Sequence, residues 1–431
     1  MLKRRLPAML VALAVLMPVS AVAASTPQPD TRGVDGVVRV LEELAARIAR
    51  DRLSAPRSSR LYAAAGLGLV AAWDASSSTR SSSVPDGLEL PEPAAKVEPI
   101  VAAIVAAATV ERTLFKLTAD KSTFGSARDE ALAAVSRELD PQVVVDSSTF
   151  GIEVAGAVLA YVASDGIEAL PDIKPPTTKG PGIWAPTPPN YQPAIEPGWG
   201  TLRTFRSSTK KCTLGAPERS GPTDSPYQDQ ANQVADVAKN LTTEQQSIAR
   251  FWDDGRGRTG TPSGHWFILA LEEGRRNGAS VDELVHLAAD VSMVVADTFI
   301  VVWREKYKWL VERPITVLQR SDPSWSSYLV TPAFPEYPSG HSAISRAAAT
   351  VITRYLGDRK FTDPGWGMTG PSRSDFEIEP RTFTSYMAAA DEASQSRLFA
   401  GIHYPMGISA GSKVGACVAQ AWARLSPAAQ G

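Results

Sequence analysis

The stretch 334–356 reads FPEYPSGHSAISRAAATVITRYL, and its character changes at Ser339. Pro335 and Pro338 keep the first part out of a helix. From Ala343 onward apolar residues recur at helical spacing. Ser339 or Ser342 caps that helix, whose first free amides point at whatever anion sits before them. Gly340 allows the backbone a close approach to a ligand. His341, beside it, can accept or donate a proton near neutral pH. Taken alone, the stretch also describes an ordinary capped helix with an incidental histidine.

Helical spacing continues on both sides. It predicts helices over 37–53, 97–118, 127–139, 150–162, 229–252, 265–277, 281–312, 342–356, 383–399 and 407–425. Period-two alternation is scarce and no repeat of fixed length occurs, so the fold class expected is all-α. Two segments punctuate the pattern. Residues 76–93 are rich in Ser, Pro and acidic groups and read as an exposed loop. Residues 170–197 are too dense in proline for a helix. They hold Trp184 and Tyr191, with Trp199 just beyond, and so read as a loop laid across the surface. The organisation expected is a signal peptide over 1–23, an N-terminal helical region over 24–169, a Pro-rich loop over 170–226 and a catalytic helical region over 227–431. One helical unit crossed by the Pro-rich loop is preferred to two separate domains.

Lys3-Arg4-Arg5, a mostly apolar run over 6–22 and Ala21-Val22-Ala23 match the three parts of a secretory signal peptide. A mature chain working outside the cytoplasm, in periplasm or medium, is expected. The net charge of −2 over 431 residues gives no reason to expect nucleic acid or an anionic membrane as partner. The apolar run over 291–302 is interrupted or bounded by Asp290, Asp297 and Arg304, so no membrane span is expected after signal removal. The two cysteines, Cys212 and Cys417, permit either a disulfide or two buried thiols. Without a CxxC they do not suggest a zinc site.

Two further motifs concentrate oxyanion chemistry. Lys306 and Arg313 are seven apart, with Pro314 following. Two helical turns would place both on nearly one face, the helix ending at Arg313. Ser396-Arg397 is followed after five residues by His403. Arg397 and His403 can converge if one helix ends after Phe399 and another begins just past His403, with Gly401 and Pro405 in the turn. Each motif alone has a plain structural reading: a solvated charged face for the first, a satisfied core histidine for the second. Pro262-Ser263-Gly264-His265 repeats the letters of 338–341 with no basic motif at comparable spacing. His265 is therefore read as a helix-start or packing residue, and His286 as structural.

In this order and separation, K-x6-RP, PSGH and SR-x5-H resemble the superfamily of type 2 phosphatidic acid phosphatases and vanadium-dependent haloperoxidases, over roughly 297–421. Trp303, three before Lys306, and the form FPxYPSGH beginning at Phe334 are similar to the haloperoxidase branch. The resemblance implies a large helical-bundle domain of two packed bundles and vanadate as cofactor, with no nicotinamide, flavin or haem. Lys306, Arg313 and Arg397 would neutralise equatorial oxygens, and all three are expected to stay charged at working pH. Ser339 and the Gly340 amide would add hydrogen bonds. His403 would bond axially to vanadium, or attack phosphorus, and His341 would be the general acid–base. Trp303 and Phe334 would line the halide side. The substrates implied are hydrogen peroxide, a halide and an organic acceptor, yielding hypohalous acid or its equivalent; a homo-oligomer is compatible with this.

The family's Asp, four positions after the last His, is Gly407 here. That carboxylate would orient the ring, and its loss should harm phosphoryl transfer most. A vanadate ligand can tolerate a backbone carbonyl as its orienter instead. Two other readings therefore stay open. One is a secreted acid phosphatase hydrolysing phosphate esters through phosphohistidine. The other is a non-catalytic oxyanion-binding helical protein.

Overall fold

Helix α9, Val281–Trp309, organises the fold. Its start is fixed by a capping box. Ser280 Oγ accepts from the Glu283 amide at 3.2 Å, and Glu283 Oε2 accepts from the Ser280 amide at 2.8 Å. Every residue over 284–303 is buried, its few polar side chains (Asp290 and Asp297 among them) included, as befits a mostly apolar helix at the centre of a bundle. By length and composition α9 and the segment Pro141–Asp172 could each cross a membrane. The apolar surface of α9 is instead covered by other helices.

The computed structural model describes residues 31–77, 83–115, 123–365 and 378–423; the expected signal peptide lies outside the described residues. Among these are thirteen α-helices and one two-stranded sheet, so the fold is all-α. The N-terminal group is α1 (Arg32–Arg50), α2 (Ala55–Ser76), α3 (Pro99–Leu114), α4 (Thr123–Val135) and α5 (Pro141–Ala163). After the Pro-rich stretch come α6 (Gln228–Lys239), α7 (Thr243–Phe251), α8 (Thr261–Arg276), α9 and the short α10 (Pro314–Leu318). The C-terminal group is α11 (Gly340–Leu356), α12 (Tyr386–Phe399) and α13 (Pro405–Ala423). Strands β1 (Phe361–Asp363) and β2 (Arg381–Phe383) pair antiparallel with Phe361 opposite Phe383. Helix α2 packs on α3 and α9, and α3 on α5, while α11 packs on α12, α13 and α9. Helices α8 and α9 serve both groups, giving two packed bundles within one compact unit from Arg32 onward.

Several expected boundaries move. Helix α2 has no counterpart in the periodicity reading, because its middle (Ala63 to Ala72) is apolar on every face and carries two glycines that lower helix propensity. It forms because it is buried against α9. A Cβ on Gly66 would stand 2.3 Å from Ser292 Oγ and 3.2 Å from the Ala289 Cα. The single helix expected over 229–252 is two, since Thr242 and Gln245 form a capping box that starts α7 afresh. Helix α8 begins at Thr261, so the second PSGH sequence lies inside a helix rather than before one.

The Pro-rich stretch is a strap on the structure that holds the site. Trp184 N–H donates to Leu310 O at 2.7 Å, Glu312 N–H donates to Gly182 O at 3.0 Å, and Ile183 bridges Val311. Ile195 donates to Ala333 O, and its own carbonyl accepts from Trp303 Nε1 and Tyr307 Oη. Just beyond, Cys212 is disulfide-bonded to Cys417 of α13 across 205 residues. This settles the alternative left open by the sequence in favour of the bridge.

Candidate active site

Lys306 occupies the last turn of α9, but that helix does not continue to Arg313. Leu310 takes a left-handed conformation (φ 51°), its amide donating to Lys306 O. The chain then runs extended against the strap, and Arg313 (φ −84°, ψ 155°) is the N-cap of α10. The expectation that both cations share one helix face is therefore corrected, because the helix stops well before Pro314. They meet instead on the backbone of the 334–336 segment. Lys306 Nζ donates to Pro335 O at 2.7 Å and to Glu336 O at 2.9 Å. Arg313 Nε donates to Phe334 O at 2.9 Å and Nη1 to Ile402 O at 2.7 Å.

Ser339 is the N-cap of α11, its hydroxyl accepting from the Ser342 amide, and Gly340 opens the helix. The Ser339 amide is held by Gly407 O at 2.9 Å. Trp252 O accepts from Arg397 Nη2 at 2.6 Å. Arg397 Nε reaches Ser396 Oγ at 3.0 Å. As expected, α12 ends at Phe399 and α13 begins at Pro405, with Gly401 at φ 76° in the turn that presents His403.

His403 Nδ1 lies 2.7 Å from Glu336 Oε1, and Arg313 Nη1 lies 3.2 Å from Nε2. A carboxylate accepts and a guanidinium donates, so Nδ1 carries the proton and Nε2 the lone pair. The orienting group is thus a carboxylate, where the sequence offered only a backbone carbonyl as substitute. Glu336 Oε1 also accepts from the Tyr404 amide at 3.0 Å.

The structure brings the predicted residues to one place. Trp303, Phe334, Gly340, His341, Arg397 and His403 line a cavity of about 650 Å³. Lys306 and Arg313 sit behind it, with Lys306 Nζ and Arg313 Cζ 5.0 and 4.9 Å from the Phe334 ring centre. Phe334 in turn packs on Trp303 at 5.0 Å. Arg313 Nη2 and His341 Nε2 are buried and find no hydrogen-bond partner among the described residues. Three buried cations and these orphaned atoms fit a tetrahedral oxyanion, which would accept from the cations and share a proton with the imidazole.

Electrostatics point the same way. Burial pushes Arg313 and Arg397 down to about 10. Burial, and then Arg313, push Lys306 well below its ordinary value. The expectation of a uniformly charged triad thus weakens at Lys306, and an anion among the cations would favour its proton again. Burial and the neighbouring cations drive His403 and His341 well below the usual imidazole range, keeping both neutral. Burial raises Glu336 to about 7 against the pull of Lys306 and Arg313.

His265 is set apart from the cavity. Its ring bonds Asp254 through Nδ1 (3.0 Å) and Asp363 through Nε2 (2.8 Å) and stacks on Trp252 at 4.7 Å. It supports the tryptophan whose carbonyl holds Arg397. His286 bonds Asp74 and Asp282 O, away from the site. Sequence reasoning missed Glu336, Trp252 and Asp254. Glu336 stands out in the sequence as the one acidic residue of its motif, but nothing local to it names a partner.

A family model described as "VCPO second helical-bundle domain" matches residues 286–430, which carry all three motifs. The crystal structure of a bacterial vanadium-dependent iodoperoxidase aligns with a TM-score of 0.81 and 28% identity, over 91% of this chain and 96% of that one. Together these matches support placing the chain in the vanadium haloperoxidase branch. Holo and apo structures of bacterial vanadium-dependent chloroperoxidase share the vanadium haloperoxidase fold at TM-score 0.63. Their identities are 15% and 17%, over 86% and 87% of this chain and 93% and 95% of theirs. No curated protein matches the sequence.

Proposed function

We propose that the protein is an exported vanadium-dependent haloperoxidase, using hydrogen peroxide to oxidise halide at vanadate bonded to His403 Nε2. The observation that carries this reading is the orientation of His403: Glu336 holds Nδ1–H, and the Nε2 lone pair, which now accepts from Arg313 Nη1, is the one that bound vanadate would take over from that N–H inside a cluster of buried cations. Lys306, Arg313 and Arg397 would neutralise the oxyanion's charge, and the Ser339 hydroxyl and Gly340 amide would donate to it. Bound vanadate supplies a Lewis-acid centre that activates peroxide toward halide. His341 Nε2, neutral and unpartnered among the described residues, would take a peroxide proton and return it to the leaving oxygen. The balance is halide plus peroxide plus one proton, giving hypohalous acid and water. Phe334 and Trp303 give the weakly hydrated halide an apolar wall. Export is supported by the signal-peptide pattern and by the disulfide, which suits an oxidising compartment.

One observation favours a second reading. The carboxylate on His403 Nδ1 would equally strengthen Nε2 as a nucleophile on phosphorus, as in a secreted acid phosphatase. Purified protein with orthovanadate, peroxide and iodide or bromide tests the first reading through halogenation of monochlorodimedone. Iodide comes first because the aligned iodoperoxidase shares 28% identity. Hydrolysis of p-nitrophenyl phosphate without vanadate tests the second. If neither reaction occurs while vanadate still binds, the protein is a non-catalytic oxyanion binder.

A further inference from the structure

The family's orienting Asp is missing at position 407, yet the site has a carboxylate where that side chain would stand. A Cβ built on Gly407 would lie 2.1 Å from Glu336 Oε1 and 2.7 Å from the Glu336 carboxyl carbon. Both carboxylates cannot be present with Glu336 as placed. The space left by the absent side chain on α13 is filled from the opposite segment, just ahead of α11. Glu336 is fully buried there. Oε1 takes His403 Nδ1–H at 2.7 Å and the Tyr404 amide at 3.0 Å, fixing ring and backbone together.

We propose that Glu336 is the positioning residue for His403, and that positions 336 and 407 form one exchangeable unit in which the orienting carboxylate has moved from one segment to the other. The activity consequences rest on the haloperoxidase reading; the binding and stability consequences do not. A rival role for Glu336 is simple counter-charge to Lys306 and Arg313. The two roles predict opposite signs. Removing a carboxylate beside an anion site by itself tightens anion binding, because repulsion is lost. Removing a group that aims the imidazole lone pair weakens it, by on the order of 10–100-fold for such orienting partners.

The experiment is a four-member cycle on the full chain: wild type, Glu336→Ala, Gly407→Asp and the double variant. Orthovanadate affinity is measured by calorimetry, and thermal unfolding is followed alongside. Glu336→Ala is expected to weaken vanadate binding 10–100-fold, and the double variant to recover most of it. Gly407→Asp alone should lower the melting temperature or prevent folding, and adding Glu336→Ala should relieve this. The protein has four histidines, so ring 15N shifts can report tautomers. Wild-type His403 should be protonated at Nδ1, and the Glu336→Ala ring should lose that preference. If Glu336→Ala does not fold, the double variant against Gly407→Asp alone decides. Equal or tighter vanadate binding in Glu336→Ala, a harmless Gly407→Asp, or a double variant no better than the worse single one would overturn the proposal. If wild type oxidises no halide but the cycle behaves as described, the functional reading fails and this one stands.

Discussion

Arg313 Nη1 donates to His403 Nε2 across 3.2 Å, joining the end of the α9–α10 connection to the turn before α13. The same guanidinium holds Phe334 O and Ile402 O, so one side chain ties the three segments that form the pocket.

Arg313→Lys should therefore be severe although charge is kept. An ammonium cannot reproduce the planar fork. Halide-oxidation kcat is expected to fall on the order of 10²–10³-fold, with vanadate affinity reduced in parallel. Steady-state kinetics at saturating vanadate separates the two effects. Near-wild-type kcat would show that the fork is dispensable.

His265 gives a pH prediction. Burial opposes its charge, but Asp254 and Asp363 outweigh burial and lift it to about 10 from an ordinary 6.5. The folded state thus holds this proton more tightly than the unfolded chain. The stabilisation is complete below about pH 6.5 and is lost as pH rises through about 10. His265→Asn should destabilise by about 3–5 kcal/mol at pH 6, because it removes the cation shared by two buried carboxylates. The gap to wild type should narrow toward pH 10 in thermal melts across that range. A gap independent of pH would contradict the ion-paired assignment.

The Cys212–Cys417 bridge closes a long loop and ties α13 to the segment following the strap. Cys212→Ser/Cys417→Ser is expected to lower stability by about 2–5 kcal/mol, read as a lower denaturation midpoint. Reductant should shift wild type toward the variant and leave the variant unchanged. Activity at low temperature should persist, since neither cysteine lines the cavity.

Phe334→Ala removes the ring that packs on Trp303 and faces both buried cations. The halide KM should rise on the order of tenfold, as for loss of an apolar pocket contact, with a smaller effect on the peroxide KM. Equal effects on both substrates would remove Phe334 from the halide side.

The oxyanion pocket was legible because each motif is short and its chemistry local: Ser339 caps its own helix, and Gly401 turns the chain that carries His403. The helical class was legible from periodicity. Helix α2 was not, because its middle, Ala63 to Ala72, is apolar on every face and is interrupted by two glycines that weaken the helical signal. Lys306 and Arg313 meet through a turn at Leu310, whose left-handed backbone no local residue preference announces. Glu336 was out of reach for a different reason. Its role depends on the empty space at Gly407, about seventy positions away, and reading either residue alone gives a defect rather than a pair.

The most direct test is halogenation of monochlorodimedone by purified protein with orthovanadate, peroxide and iodide or bromide, beside His403→Ala. The account predicts vanadate-dependent halogenation in wild type and none in His403→Ala. Wild type that hydrolyses p-nitrophenyl phosphate but halogenates nothing, or a fully active His403→Ala, would contradict it.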